Sequence, residues 1–240
     1  MTESRNSRPM EKGRTFAMGD IHGAHRALVQ CLERVQFNKD RDTLIFLGDV
    51  ADGWPDTRAC VDELLTINNL VPLLGNHDWW TMHWMKTGIA ESHWLLQGGE
   101  ATRISYRDGV PQSHIRYFEK CRLYFQQGNR LFVHAGIDPL RPLADQDEDI
   151  FLWDRNLARI TLDHRERGIS GKTSLFEEIY IGHTPVEEPI HWNGVWMMDT
   201  GAGWSGRLSM VNIDTKEITS SDSVVTLYPG IEGRKKKRRS

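Results

Sequence analysis

The chain has 240 residues, 39% hydrophobic and 26% charged, with a formal charge of −3 at pH 7 and no run of 18 apolar residues, so it is long enough for one well-filled domain and lacks a membrane span. Its three cysteines, Cys31, Cys60 and Cys121, are odd in number and far apart, which excludes a disulfide framework and zinc-finger spacing and, with no apolar leader in the first 14 residues, points to a reducing, cytoplasmic setting. Residues 234–239 read RKKKRR, and without those six charges the remainder carries −9, so nucleic acid is not expected as a partner except through that basic run.

In chain order, residues 1–12 read as a disordered segment, 13–228 as a single domain and 229–240 as a basic disordered tail. A first strand is expected at Thr15–Met18, followed by an amphipathic helix from Ala24 to Phe37 with Leu28, Cys31, Leu32 and Val35 on one face. A second strand, Thr43–Leu47, precedes a helix opened by Pro55, and a third covers Leu70–Leu74. This β-α-β-α-β alternation marks a parallel crossover unit. Residues 77–119 read as mostly helical and Trp-rich. Leu123–Gln126 and Arg130–Val133 then flank Gln127-Gly128-Asn129 as a hairpin. Residues 138–175 form a polar excursion with an acidic cluster (Asp145, Asp147, Glu148, Asp149) and are the expected mobile segment. Strands at Glu178–Ile181, Val195–Met198, Leu208–Ile213, Glu217–Thr219 and Val224–Leu227 follow, which implies a second, antiparallel or mixed sheet.

Six of the apolar runs end on a metal-ligand or acid–base residue beside a glycine. They lead into Asp20-Ile21-His22, Asp49-Val50-Ala51-Asp52, Asn76-His77-Asp78, His134-Ala135-Gly136, Gly182-His183-Thr184 and Asp199-Thr200-Gly201. Ligands just past the carboxyl ends of several strands converge, because open α/β sheets bind there. Asp, His and Asn together suit Mn, Fe, Zn or Mg. Each motif alone is weak; their joint order reads as a two-metal hydrolase.

This order resembles the calcineurin-like metallophosphoesterases, specifically the phosphoprotein phosphatase group with its bacterial and phage serine/threonine phosphatases and symmetrical diadenosine tetraphosphatases. The resemblance covers about residues 14–215. It implies an α/β four-layer sandwich, two mixed β-sheets flanked by helices, with two divalent metal ions, Mn by preference and Fe or Zn as alternatives. By the motif match, Asp20 and His22 would hold the first ion, Asp49 would bridge, and Asn76, His134 and His183 would complete the second. A water held by both ions would lose a proton and become the nucleophile. His77 would protonate the leaving oxygen with Asp52 orienting it, and a carboxylate partner is expected to raise the His77 pKa. Asn76 and Arg155, the latter in Phe151-Leu152-Trp153-Asp154-Arg155, would bind substrate phosphate.

The chain departs from the group at position 53. Protein phosphatases carry an Arg there that grips phosphate; here it is Gly53, followed by Trp54. A pocket opened to a base by Gly53 and Trp54 is one reading of this change. Asp78 stands where eukaryotic members have Glu. Asp199 reads as support or turn chemistry. The expected function is hydrolysis of phosphomonoesters, foremost on serine or threonine in protein, with a diadenosine tetraphosphatase as the alternative; the expected partners are a phosphorylated protein or a nucleotide.

Overall fold

The computed structural model describes residues 13–234; the expected disordered segment 1–12 and most of the basic run, 235–240, lie outside the described residues. Among the described residues, ten strands form two five-stranded mixed sheets. The first sheet is ordered β10 (Ile218–Ser220), β9 (Ser209–Asn212), β1 (Thr15–Met18), β2 (Thr43–Phe46), β3 (Asn69–Pro72), with β1, β2 and β3 parallel, β9 antiparallel to β1 and β10 antiparallel to β9. The second is ordered β4 (Tyr124–Gln127), β5 (Arg130–Val133), β6 (Glu178–Ile181), β8 (Val195–Met197), β7 (Ile190–Trp192), parallel in its middle and antiparallel at both edges.

The period-2 side-chain alternation of a strand sorts these residues into layers. From β1, Phe16 and Met18 face the helices while Ala17 faces the other sheet. From β2, Leu44 and Phe46 face out and Ile45 faces in. The second sheet does the same with Leu131 and Val133 against Phe132, Ile179 and Ile181 against Tyr180, and Val195 and Met197 against Trp196. The result is three apolar cores in series, one between the sheets and one under each helical layer. The first outer core takes α1 (His25–Arg34) and α2 (Thr57–Leu64), and the second takes α7 (Glu148–Trp153) and α8 (Asn156–Glu166). This is the four-layer α/β sandwich.

Between β3 and β4 the chain is helical: α3 (Asn76–Thr87), α4 (Ser92–Trp94), a five-residue π-helical stretch (Leu95–Gly99), α5 (Glu100–Ser105) and α6 (Gln112–Lys120). The π stretch is broken at Gly98, φ +112°. π-bulges of this kind gather at functional sites.

Several elements differ from the sequence reading. Val224–Leu227, expected as a strand, is a short helix, α9. Its Val224, Leu227 and Tyr228, at helical spacing, all pack on the core under α1, so tertiary burial overrides the β-branched pair. Strand β7 was not expected. Asn193 and Gly194 after it both hold positive φ, the pattern of a two-residue hairpin turn. The polar excursion 138–175 carries α7 and α8, whose Phe151, Leu157 and Ala158 are core residues. The segment read as a tail from residue 229 is described as far as Arg234, and Arg234 lies back against the domain body, its backbone N–H donating to Gly203 O at 2.9 Å. No described helix is long and apolar enough to cross a membrane.

Candidate metal centre

The loops after β1, β2, β3, β5, β6 and β8 bring Asp20, His22, Asp49, Asn76, His134, His183 and Asp199 to one end of the two sheets, all of them buried. Among the described residues, two groups of donor atoms each lie within 4.8 Å of one another: His22, Asp49 and His77 form one, and Asp49, His134 and His183 the other. Asp49 belongs to both. Its Oδ2 is 3.6 Å from His22 Nε2 and 3.5 Å from His134 Nε2. Asp20 joins on the first side, with Oδ2 3.9 Å from His22 Nε2 and its oxygens accepting the backbone N–H of His183 at 3.1 and 3.2 Å. On the second side, Asn76 Oδ1 is 3.1 Å from His134 Nε2.

The backbone fixes which ring nitrogen faces the centre. His22 Nδ1–H donates to Ala51 O at 2.9 Å and His134 Nδ1–H to Leu47 O at 2.8 Å. Both carbonyls flank Asp49 in the same loop, and both rings are left with Nε2 free toward it, the arrangement a metal-binding His requires. His22, Asp49, Asp52 and His183 all hold φ between +51° and +71°. Non-glycine residues rarely adopt this left-handed backbone, and it gathers at functional sites. The glycines of the motifs serve close approach. A Cβ on Gly182 would stand 2.2 Å from Asp20 Oδ1, and one on Gly75 would stand 2.1 Å from Asp49 Oδ1.

Burial dominates the electrostatics. Asp20 is pushed well above the usual carboxylate range by burial, then by Asp199 and Asp49 beside it. Burial pushes Asp49 up to about 8 and raises Asp199, and it holds His134 down at about 4. His22 is lowered by burial and then by Arg234, and His183 by burial and then by His134. Neutral imidazoles beside mutually repelling carboxylates form a donor set that divalent cations would relieve. Asp199 Oδ2 is buried with no hydrogen-bond partner among the described residues, while its Oδ1 accepts from Gly201 N. The residues present therefore fit a pair of divalent ions.

His77 sits at the edge of the cluster. Its Nδ1–H donates to Asp52 Oδ2 at 2.7 Å, and its ring meets His22 and Trp80 edge-on at 4.9 and 5.1 Å. Asp52 is itself held: Trp94 Nε1–H donates to Oδ2 and the Thr102 hydroxyl to Oδ1, each at 2.7 Å. Burial pushes Asp52 up to about 7 and holds His77 well below its ordinary value, the opposite of the rise expected from its carboxylate partner. Desolvation of the imidazolium, with Arg234 nearby, outweighs the attraction of Asp52.

Arg155 lies at the rim. Its Nη1 donates to His183 O at 3.2 Å and to the Thr184 hydroxyl at 3.3 Å, and among the described residues its guanidinium makes no ion pair. Trp54 is fully buried, donates Nε1–H to Ala202 O and stacks on Tyr228, so it is a core residue and opens no pocket for a base. Trp80 borders the site beside His77, touching His93 and Trp153 as well, and Trp204 meets His22 at 6.1 Å between ring centroids. Sequence reasoning missed what Asp78, Trp94, Thr102 and Arg234 do here. An Asp three residues past Gly75 at a helix start was the available sign for Asp78; Trp94 and Thr102 gave none.

Residues 13–200, most of the chain, match the family described as calcineurin-like phosphoesterase. The chain belongs to the calcineurin-like phosphoesterases. Members of this family work with a binuclear metal centre, and this phosphoesterase is a hydrolytic enzyme. It is 26% identical over 207 residues to serine/threonine-protein phosphatase 1 of Salmonella typhimurium, covering 82% of this chain and 91% of that one. It is 25% identical over 263 residues to the symmetrical bis(5'-nucleosyl)-tetraphosphatase of Neisseria meningitidis, covering 85% and 94%. Among solved structures, a putative diadenosine tetraphosphatase superposes with a TM-score of 0.68 at 22% identity, covering 89% of this phosphoesterase and 95% of that chain. A protein serine/threonine phosphatase from Saccharomyces cerevisiae gives 0.60 at 16%, covering 94% and 84%. At these identities the structural likeness shows the fold alone.

Proposed function

We propose that this phosphoesterase hydrolyses phosphomonoesters at two divalent ions, with phosphoserine or phosphothreonine in protein as the substrate. The observation that carries the reading is the membership of Asp49 in both donor sets. Asp20, His22 and Asp49 would hold one ion and Asp49, Asn76, His134 and His183 the other, a set that accepts Mn, Fe or Zn. When bound, such a pair activates water and stabilises charge on phosphoryl oxygens.

The protein's own groups supply the rest. His77, clamped through Nδ1 by Asp52, presents Nε2 toward the centre; with its imidazolium favoured by the anionic phosphate of a bound substrate, it would give its Nε2 proton to the leaving oxygen as the bond to phosphorus breaks, and water supplies the new oxygen on phosphorus. Trp94 and Thr102 keep Asp52 from turning away. Asn76 uses its oxygen toward the second ion, which leaves its amide N–H groups for a phosphoryl oxygen. Arg155 offers its planar fork to the same phosphate from the His183 side. The exposed Asp147, Glu148 and Asp149 start α7, whose six residues span about 9 Å and end at Trp153 on the site border. That charge favours a basic peptide around the phosphoresidue.

One observation favours a second reading, a dinucleoside tetraphosphate. Trp80, half-buried beside His77 and Trp153, would offer an aromatic surface to a base at the site border. Phosphate release by the Mn-loaded protein from a phosphoserine peptide and from diadenosine tetraphosphate, with Asp49→Asn as the blank, separates the two. Preference for the peptide is expected. Preference for the dinucleotide, with tryptophan fluorescence quenched on binding, would reverse the assignment.

A further inference from the structure

The second motif carries no guanidinium at position 53, and the backbone there is committed against one. Gly53 holds φ +119°, a conformation an arginine would take only under strain. The space a side chain would use is already filled. A Cβ on Gly53 would stand 3.0 Å from Cγ of Arg234, and one on Gly98 would stand 3.1 Å from the same atom. A Cβ on Gly203 would stand 3.3 Å from Arg234 Cδ. Three bare glycines from three separate segments thus form a trough that admits the Arg234 stem.

The head of that residue reaches the metal centre. Arg234 Nη1 is 3.3 Å from His22 Nε2, Nη2 donates to Gln97 Oε1 at 3.0 Å, and the guanidinium lies 4.5 Å over the Trp204 ring. Burial works against its charge, and the carboxylates of Asp49, Asp52, Asp199 and Asp20 work for it. An arginine does not lose its proton in a protein, so this cation must keep an anionic partner. Two divalent ions would take over Asp20 and Asp49 and leave an excess of positive charge. The guanidinium would then lose the pull of Asp20 and Asp49, and among the described residues it makes no ion pair of its own, so a phosphate dianion is the anion that fits its fork. Arg155 approaches from the His183 side and Arg234 from the His22 side, and the charges of both act on His77 and Asp199.

We propose that Arg234, carried in by the C-terminal segment, is a phosphate-binding residue of this active site and supplies the guanidinium that the Gly53 position does not. The proposal rests on the two-metal phosphoesterase reading above.

The test uses the full chain loaded with Mn and compares wild type, Arg234→Ala and Arg234→Lys. Calorimetry measures binding of inorganic phosphate and, separately, of Mn; turnover of p-nitrophenyl phosphate gives kcat and KM; thermal melting checks the fold. Loss of a charged, paired contact predicts phosphate binding about ten- to a hundredfold weaker in Arg234→Ala, partly restored in Arg234→Lys, with Mn binding no weaker than in wild type. Unchanged phosphate binding overturns the proposal. So does tighter Mn binding with faster turnover in Arg234→Ala, which would make the segment a plug competing with the first ion. A wild-type protein that binds no Mn and releases no phosphate sinks the underlying reading itself. That failure is distinguishable, because it precedes any effect of the substitution.

Discussion

Asp49 and Asp78 hold each other's loops in place. The Asp78 carboxylate accepts the backbone N–H of Asp49 at 2.7 Å, and the Asp49 carboxylate accepts the N–H of His77, the residue before Asp78, at 2.9 Å. Asp78 also accepts from Val50, Ala51 and Gly75 at 2.9, 3.2 and 3.2 Å. One buried side chain therefore sets the loop after β2 against the start of α3.

Removing that carboxylate leaves four buried N–H groups without an acceptor. Asp78→Ala is expected to lose about 3 kcal/mol or more of stability, at the usual cost of about 1–3 kcal/mol per orphaned group with partial relaxation. Activity should fall with it, because Asp49 and His77 lose their register. Urea unfolding beside turnover checks both; near-wild-type stability would show that Asp78 is not the tie described here.

Asp49→Asn acts in the opposite direction on the metal-free protein. It removes one of several buried carboxylates that raise one another's pKa, so the chelated variant is expected to melt no lower than chelated wild type. Turnover should fall about a thousandfold or more, the loss of several kcal/mol of charge stabilisation. Melting curves with EDTA and with Mn, run beside the assay, carry the test. Activity near wild type would remove Asp49 from the bridging position.

Metal itself should stabilise the fold. At a free Mn concentration about a hundred times Kd, binding adds about 2.7 kcal/mol, and a chain of this size gains about 2–4 °C per kcal/mol. A rise of about 5–10 °C in Tm over the EDTA-treated protein is expected. No shift at any Mn concentration would mean that the donor sets do not bind the ion.

Arg155→Ala is expected to raise KM about tenfold with a smaller change in kcat, and Arg155→Lys to recover only part of it, because a point charge lacks the fork. Equal KM values for wild type and Arg155→Ala would make Arg155 a clamp on His183 and Thr184 and nothing more.

Far from the site, Asp42 joins the start of β1 to the start of β2. It accepts from Arg14 N at 2.8 Å, Arg14 Nη2 at 2.6 Å and Asn38 N at 3.0 Å. Burial works to raise its pKa, but these bonds, led by the Arg14 side chain, outweigh it and hold the group below the ordinary value. A carboxyl whose folded pKa is depressed contributes stability above its unfolded pKa of about 3.9, and that stability is lost as pH falls through the folded value. Asp42→Asn should therefore narrow its stability deficit to wild type as pH falls from about 5 toward 3. Metal-free unfolding across that range checks the sign, and a deficit that widens on acidification refutes it.

The parts of the fold legible in the sequence were those where one local cause acts alone. Strands such as Thr15–Met18 and Glu178–Ile181 are buried on both faces and end on a glycine-bearing motif, so composition marks the strand and the motif marks its end. Val224–Leu227 misled because its β-branched pair is answered by packing on α1, which no local pattern records. Strand β7 was short, but Asn193-Gly194 was a readable turn. The candidate ligands were legible for the same reason as the strands. Arg234 was not, since it meets His22 across 212 positions of chain and stands first in a charge run that reads as solvated tail.

The left-handed backbone at His22, Asp49, Asp52 and His183 has a consequence for how this protein can change. Each of these positions costs the fold on the order of 1 kcal/mol or more that glycine would not. Substitutions to glycine there would relieve the backbone strain but empty the centre of its donors, and at Asp52 and Asp49 they would also orphan buried groups that now bond these carboxylates. The strain at these four positions is therefore stability given up for the donors it aims at the centre.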